Sequence, residues 1–311
     1  MDVMVSCPPM VGMIDSFRPR FRDAGVRLHV PDVLQTLSEA TLKTSLPQMD
    51  GWIIGDDPAT AAVLEAGAAG RLKAAVKWGV GTDNVDFAAA RRLGLAITHT
   101  PGVFGREVAD IALHYVTALA RETVRIDREI RRDGTWPKPR GISLAGKTVA
   151  LIGFGDIGRQ TGKRLAAAEM RILAYDPAFS PDPAVPADPV PWPERLDEAD
   201  FLVFTCPLTA QTHHLFDRAL LERLKPGVRL VNVGRGPVVA EAALLEGLET
   251  GVVHSAALDV FETEPLALTS PLRGYDRCVF GSHNASNTAD GVLRVSHTAI
   301  DHLFDFLGVA T

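Results

Sequence analysis

Short apolar runs of strand length alternate with longer segments of helical period in two successive blocks of this 311-residue chain. Strands that alternate with helices are connected as βαβ units, and such units build parallel sheets. The pattern therefore predicts an α/β fold with two parallel sheets. The predicted strands are residues 3–5, 26–30, 51–54 and 73–76 in the first block, and 147–152, 171–175, 201–204, 229–233 and 255–258 in the second.

Helices are predicted over residues 58–65, 106–132 and 289–307, where apolar side chains recur with helical spacing. Asp57 is a good candidate for the N-cap of the first helix because it directly precedes a proline. The proline-rich stretch 177–193 is predicted to be a surface loop, since proline lacks the N–H that regular structure uses.

Composition excludes several classes of protein. The hydrophobic fraction of 46% is that of a globular protein, and a net charge of −6 gives no basic surface for nucleic acid. The sequence has no run of about 18 apolar residues and no basic start typical of a signal peptide. Three scattered cysteines and nine histidines without ligand spacing indicate no metal site. We expect a cytoplasmic protein with no membrane and no nucleic-acid partner.

The glycines Gly153, Gly155 and Gly158 form the pattern G-x-G-x-x-G between a predicted strand and a predicted helix. The first permits a tight turn, the second lets a pyrophosphate approach the backbone, and the third allows the helix to pack closely on the strand. Asp176 stands at the end of the next strand, where a carboxylate can bind ribose hydroxyls and repel a 2′-phosphate. The glycines could be ordinary turn residues, but the surrounding pattern favours a site for NAD.

Three further polar residues follow predicted strands: Arg235, Glu264 and His283. Ligands of open parallel sheets bind beyond the carboxyl ends of the strands, so these side chains could converge on one pocket. A guanidinium offers two parallel donors to a carboxylate, and histidine titrates near neutral pH. Taken singly, each could equally be a surface ion-pair or a structural residue.

In combination, these segments resemble the D-isomer-specific 2-hydroxyacid dehydrogenase family, which includes phosphoglycerate, glycerate and D-lactate dehydrogenases. The resemblance extends over nearly the whole chain, through residues 76–86, 100–102, the glycine loop, 206–209 and the Arg235 and Glu264 segments in the family's order. The chain departs from the usual pattern at Asp110, where glutamate is common, and at Ser282, where proline is common.

The resemblance implies two doubly wound parallel-sheet domains, Rossmann- and flavodoxin-like, separated by an active-site cleft. Residues 1–100 and 288–311 would form a discontinuous substrate domain, and residues 101–287 the NAD-binding domain. Relatives form dimers through their cofactor domains, so a homodimer is expected here.

The resemblance also assigns roles. Arg235 would hold the substrate carboxylate, His283 would exchange a proton with the C2 oxygen, and Glu264 would orient His283. The adjacent pair His213 and His214 is interpreted as surface or packing residues. The residues expected to bind NAD are Gly153, Gly155, Asp156, Ile157, Gly158, Asp176, Cys206, Pro207, Thr209, Val233 and Asp259. Those expected to bind substrate are Lys77, Trp78, Gly79 and Val80, together with Arg235 and His283.

The loop after residue 54 bears on the substrate's charge. Asp56 and Asp57 would oppose a substrate phosphate unless Asp57 is turned away as an N-cap, and Lys77 could compensate. We also expect no regulatory domain after Thr311. These features favour a non-phosphorylated acid of the glyoxylate, hydroxypyruvate or branched 2-keto type. D-3-phosphoglycerate dehydrogenase is the alternative enzyme, and a non-enzymatic NAD-sensing corepressor is the alternative of another class.

Overall fold

The computed structural model describes residues 1–309 and divides the chain into two compact units. The first unit contains Met1–Phe104 and the chain from Asn287 onward, and the second contains Gly105–Ser286. The changes from one unit to the other fall after residues 104 and 286, whereas the family resemblance implies changes after residues 100 and 287. Each unit is built on one parallel sheet.

The first unit contains a five-stranded sheet in the order β2-β1-β3-β4-β5, which is the doubly wound order of flavodoxin-like domains. Its strands are β1 (Asp2–Val5), β2 (Arg27–His29), β3 (Gly51–Ile54), β4 (Ala74–Lys77) and β5 (Ala96–His99). Its helices are α1 (Pro8–Gly12), α2 (Arg18–Asp23), α3 (Glu39–Ser45), α4 (Ala61–Ala69) and α5 (Phe87–Arg92), with the terminal helix α11 (Ala289–Leu307) and short 3₁₀ turns at Ile14–Ser16 and Leu46–Gln48.

The three inner strands of this sheet are buried along their whole length, because helices cover both faces. Helix α11 packs on β3 and β4, with Leu303 and Leu307 against the backbone of Gly51. Its first turn is capped by Thr288, whose hydroxyl accepts a hydrogen bond from Gly291 N at 3.0 Å. The last helix of the chain thereby joins the first block of strands.

Asp57 is not an N-cap, and that prediction is wrong. Helix α4 begins at Ala61, and the Asp57 side chain turns into the first unit, where it is fully buried. Its carboxylate accepts hydrogen bonds from Leu37 N at 2.7 Å, Ser6 Oγ at 2.5 Å and Gly55 N at 3.2 Å. Burial raises the pKa of this carboxyl above its ordinary range, and the three donors oppose that rise. Three separate segments donate hydrogen bonds to the Asp57 carboxylate, and the exposed end of a single helix would offer it fewer donors.

The second unit contains a seven-stranded parallel sheet in the order β12-β11-β10-β9-β6-β7-β8. The chain reverses direction across the sheet between β6 and β9, which is the switch point where Rossmann-like folds bind ligands. Its strands are β6 (Thr148–Ile152), β7 (Arg171–Tyr175), β8 (Ala187–Pro189), β9 (Phe201–Phe204), β10 (Val228–Asn232), β11 (Val253–Leu258) and β12 (Val279–Phe280). Its helices are α6 (Gly105–Arg121), α7 (Thr123–Asp133), α8 (Asp156–Ala167), α9 (Arg218–Leu221) and α10 (Glu241–Thr250), with 3₁₀ turns at Leu196–Glu198, Gly236–Val238 and Pro271–Gly274.

The predicted single helix over 106–132 is two helices. The chain breaks at Glu122, which has a left-handed φ of 52° between α6 and α7. A non-glycine residue in that conformation cannot continue a right-handed helix. The Glu122 carboxylate instead pairs with Arg125 at 2.9 Å, in the first turn of the new helix. Amphipathic spacing continues through the break, which is why the sequence pattern did not reveal it.

The proline-rich stretch 177–193 is not entirely irregular. It includes β8, a short strand that pairs in parallel with β7 at one edge of the sheet. An edge position tolerates Pro189, because a strand without an outer neighbour leaves one row of N–H groups unused. Apart from these differences, the prediction of two doubly wound parallel sheets is confirmed.

Candidate active site

The three glycines lie where the chain passes from β6 into the first turn of α8, and their surroundings differ. Gly153 has φ +96°, and a Cβ there would lie 2.7 Å from the backbone nitrogen of Cys206. A Cβ on Gly158 would collide with the carbonyl oxygen of Gly153. A Cβ on Gly155 would meet nothing within 4 Å. Open space therefore lies at the N-terminus of α8, where the first turn of N–H groups attracts an anion.

Asp176 directly follows β7 and lies beside the glycine loop. Its Oδ2 accepts a hydrogen bond from Phe154 N at 2.6 Å, and its Oδ1 accepts one from Ala178 N at 2.8 Å. These bonds fix the carboxylate at the end of the strand. Each carboxylate oxygen can accept more than one hydrogen bond, so both retain capacity for ribose hydroxyls.

Cys206 and the residues after it follow β9. The backbone of Cys206 packs against both Gly153 and Gly234, so it joins two of the predicted site loops. Burial raises the pKa of the Cys206 thiol to about 12, and the charge of Asp176 acts in the same direction. The thiol is therefore neutral at physiological pH and is no nucleophile. Thr209 holds the following turn, its Oγ1 lying 3.1 Å from Thr212 Oγ1.

The turn that carries Arg235 is held by Asn232, the last residue of β10. Asn232 Nδ2 donates to the carbonyl oxygen of Arg235 at 2.9 Å, and its Oδ1 accepts from Gly234 N at 3.1 Å. Asn232 is almost fully buried, so both amide groups are used inside the protein. Sequence reasoning did not single out Asn232. The signal was present, because a polar amide stands among the apolar residues Leu230, Val231 and Val233, two residues before Gly-Arg-Gly.

Glu264 and His283 are in direct contact. His283 Nδ1 lies 2.8 Å from Glu264 Oε2, and the other carboxylate oxygen accepts from Phe261 N at 2.9 Å. A Cβ on Gly236 would collide with the carbonyl of Phe261, so the Arg235 turn packs directly on the Glu264 segment. The structure therefore brings the segments of all three predicted catalytic residues together.

The turn that carries His283 is held by Asp259. The buried Asp259 carboxylate accepts hydrogen bonds from Asn284 N at 3.2 Å and Ala285 N at 2.9 Å, and from the Tyr115 hydroxyl at 3.4 Å. The backbone nitrogen of His283 donates to Asp259 O at 2.7 Å, and His283 itself has a left-handed φ of 55°. Burial, followed by the charge of Asp259, raises the pKa of Tyr115, so this phenol remains a donor. Sequence reasoning missed Tyr115, which lies on the buried stripe of α6.

The substrate-binding candidates of the first unit follow β4. Lys77 is buried, and its Nζ donates to Gly55 O at 2.6 Å and to Asp56 Oδ1 at 3.0 Å. Trp78 is also buried, with its Nε1 donating to Ser296 Oγ at 3.0 Å. Gly79 has φ +111° and Val80 is exposed. The two long side chains therefore have partners inside their own unit, and their contact with a substrate stays a prediction.

In the second unit, every predicted site residue lies at the carboxyl edge of the sheet. The glycine loop, Asp176, Cys206, Val233, Arg235, Asp259 and His283 follow β6, β7, β9, β10, β11 and β12, and all of these strands run parallel. Asp156 and Ile157 open α8, so they lie beside the loop as well.

The open space and the side chains at this edge of the sheet fit a dinucleotide. The open space at Gly155 suits a pyrophosphate, and the Asp176 carboxylate beside it suits an adenosine ribose. Within residues 1–309, no helix combines the length and apolar character that a membrane crossing requires.

Comparison with known proteins agrees with this geometry. Residues 113–285 match the family described as D-isomer specific 2-hydroxyacid dehydrogenase, NAD binding domain. The chain is 35% identical to a hydroxypyruvate reductase of Thermotoga maritima, over 88% of this chain and 90% of that protein. It is 34% identical to a D-3-phosphoglycerate dehydrogenase of Archaeoglobus fulgidus, over 85% of this chain and 50% of that protein.

Among solved structures, the chain is similar to the TT0316 protein of Thermus thermophilus, with a TM-score of 0.87 and 32% identity over 99% of this chain and 97% of that one. The match with the family extends over more than half of the sequence and includes the glycine loop, Asp176, Arg235, Glu264 and His283. The chain therefore belongs to the family of D-isomer specific 2-hydroxyacid dehydrogenases and is an NAD-dependent oxidoreductase.

Proposed function

We propose that this enzyme interconverts a small, non-phosphorylated D-2-hydroxy acid and its 2-keto acid, of the glyoxylate or hydroxypyruvate type. The observation that carries the proposal is the 2.8 Å contact between His283 Nδ1 and Glu264 Oε2, on segments packed against the Arg235 turn. A proton-transfer group, its orienting carboxylate and a carboxylate-binding guanidinium are the groups that this reaction requires.

Each member of the trio has one task. Arg235 binds the substrate carboxylate through two parallel N–H donors, which fixes the position of C2. Glu264 accepts from Nδ1–H of His283, so the proton exchanged with the C2 oxygen is carried at Nε2. His283 therefore donates in the direction of reduction and accepts in the direction of oxidation. When bound, NAD supplies the hydride acceptor or donor.

The glycine loop, Asp176 and the segment after β9 would hold the cofactor. Gly155 leaves room for the pyrophosphate, and Asp176 would bind the ribose hydroxyls. Asp156, Ile157, Cys206, Pro207, Thr209 and Val233 line the same sheet edge. Asp259 is buried, and its carboxylate already holds the His283 turn. We infer that Asp259 contributes to the site by positioning the turn that carries His283.

The charges of the first unit favour a substrate without a phosphate. The ammonium of Lys77 is used on Asp56, whose side chain is 35% exposed while that of Lys77 is 3% exposed. A phosphate approaching this loop would therefore meet the carboxylate before the buried cation, and like charges repel. In glyoxylate and hydroxypyruvate, the only charged group is the carboxylate, which Arg235 would bind.

A panel assay tests the substrate class. Oxidation of NADH would be followed with glyoxylate, hydroxypyruvate, pyruvate and a branched 2-keto acid, and reduction of NAD with D-glycerate, L-glycerate and D-3-phosphoglycerate. We expect turnover of glyoxylate or hydroxypyruvate, and oxidation of the D isomer only. Clear activity on 3-phosphoglycerate with none on glyoxylate or hydroxypyruvate would overturn the substrate proposal. Binding of NADH without turnover of any acid would favour the corepressor alternative.

The same assay tests the trio. His283→Ala should lower kcat by about 10² or more, because general acid–base catalysis contributes that much. His302→Ala, on α11, is the matched control and should retain the wild-type rate. A near-normal rate for His283→Ala would remove His283 from the mechanism.

We further infer a homodimer formed through the cofactor-binding unit and a cytoplasmic location. None of the residues of α7 is buried within the chain, and Ile130 and Trp136 are exposed on and after it. Exposed apolar side chains on one amphipathic helix are typical of an association surface. The location is supported by three buried cysteines, all of them free thiols.

A further inference from the structure

The adjacent histidines His213 and His214 are both exposed, as their interpretation as surface residues expects, and His214 also contacts two segments of the candidate site. They lie between β9 and α9, with ring centroids 4.0 Å apart and ring planes inclined by 31°. His214 Nε2 lies 2.6 Å from Oε1 of Glu262, an acid two residues before Glu264. A side chain outside the predicted trio thus touches the segment that carries one of its members.

The backbone of His214 is bound to a second site segment. His214 N donates to Pro237 O at 2.7 Å, and Phe216 N donates to Val238 O at 3.1 Å. The chain from 214 to 216 therefore runs alongside the residues that directly follow Arg235. One histidine contacts the Arg235 segment through its backbone and the Glu264 segment through its ring.

The Glu262 end of the contact is anchored independently. Glu262 N donates to Glu241 Oε1 at 2.9 Å, at the start of α10. The backbone of Gly236 packs against Phe261 and Glu262, so the two site segments touch at this point. The contact between His214 and Glu262 therefore lies beside the point where the two segments touch.

His214 has a left-handed φ of 51°, which is uncommon for a residue other than glycine. Such a conformation persists only where surrounding contacts hold it, and it occurs often at functional sites. In this case the conformation allows one residue to reach Pro237 with its backbone and Glu262 with its ring. The conformation and the contacts are two separate observations about the same residue.

We propose that His214 and Glu262 are positioning residues for the reaction: the 2.6 Å contact between their side chains fastens the segment after β9 to the Glu264 segment and so holds Arg235 and Glu264 in register. The inference rests on the proposed roles of Arg235 and Glu264. Small displacements of positioned groups lower rates steeply, by up to about 10² for about 1 Å. The alternative is an ordinary surface ion pair, and such pairs contribute little to stability.

The test uses two variants that preserve local geometry. His214→Asn keeps a residue type that accepts a left-handed conformation, but its shorter side chain cannot reach Glu262. Glu262→Gln keeps a hydrogen-bond acceptor and removes the charge. We expect His214→Asn to lower kcat about tenfold, Glu262→Gln to lower it less, and the double variant to be no slower than His214→Asn. The affinity for NADH, measured by fluorescence titration, and the Tm should remain close to wild type.

The matched control is Arg218→Ala, which removes the 3.0 Å surface pair of Arg218 with Glu246 between α9 and α10. It should leave kcat unchanged. The proposal is overturned if His214→Asn and Glu262→Gln keep the wild-type kcat, or if their effects multiply in the double variant. If His214→Asn lowers the Tm strongly, the kcat of Glu262→Gln alone tests the proposal.

His283→Ala, measured beside these variants, separates the two levels of inference. Loss of activity in His283→Ala with full activity in both pair variants refutes only the positioning role. Full activity in His283→Ala refutes the proposed function, on which the positioning role depends.

Discussion

The glycines at 153, 155 and 158 lie close together in the chain but differ in the space around them. At two of these positions the backbone of the same unit leaves no room for a Cβ, while at Gly155 the space around the Cα is open. The G-x-G-x-x-G pattern treats the three glycines alike and does not separate the two that the fold requires from Gly155, around which the space is open.

That distinction gives a prediction. Gly155→Ala should fold with a Tm close to wild type, and its Kd for NADH should rise about tenfold or more, since the added methyl occupies the space at the helix N-terminus. Gly158→Ala should instead lower the free energy of unfolding by about 1–3 kcal/mol, the usual cost of overpacking. Thermal melts and fluorescence titration with NADH measure both. Equal losses of stability in the two variants would contradict the steric assignment.

At the scale of the element, α7 is a helix that its own chain leaves uncovered. Its break from α6 occurs at Glu122, and none of its residues is buried. Hydrophobic spacing alone predicts one continuous helix here, because the apolar stripe continues through the break. The left-handed turn redirects the stripe toward a different surface.

The dimer proposal can be tested on this helix. Ile130→Asp, which places a charge on its exposed apolar face, should convert a dimer to a monomer in size-exclusion chromatography with light scattering. Leu34→Asp is the matched control, because Leu34 in the first unit is more exposed than Ile130, at 86% against 39%. It should leave the molar mass unchanged. A wild-type monomer, or a dimer that persists in Ile130→Asp, would refute this interface.

At the scale of the whole molecule, we expect one carboxyl at the start of β1 to contribute to stability in acid. The side chain of Asp2, at the start of β1, accepts hydrogen bonds from His29 at 2.7 Å, Arg71 at 2.9 Å and Arg27 at 3.1 Å. The hydrogen bonds from His29 and then Arg71 lower the pKa of Asp2 from 3.8 to about 2. A carboxyl with a lowered pKa stabilises the fold above its unfolded value and loses that effect as the pH falls through its folded value.

We therefore expect Asp2→Asn to lower the free energy of unfolding at pH 5 and to have little effect near pH 2. The difference should disappear between about 3.8 and about 2, the unfolded and folded pKa values. Urea titrations over this range measure it. Asp15→Asn is the control, because Asp15 lies in an exposed pair with Arg18 and should show no such trend. A pH-independent effect of Asp2→Asn would mean that packing, and not charge, holds β1.

The sequence by itself determined the parallel sheets and the glycine loop, and it singled out Arg235, Glu264 and His283 as the candidate catalytic residues. Strand-length apolar runs and residues at strand exits are local signals, and the right-handed βαβ connection places those exits on one edge. The tertiary structure decided what depends on distant partners. It placed Asp57 in the interior, where three segments donate hydrogen bonds to its carboxylate, and it placed Asn232 where its amide holds the Arg235 turn. It also brought His214 within 2.6 Å of Glu262. These contacts join residues that no spacing along the chain relates, because only packing determines which loops meet.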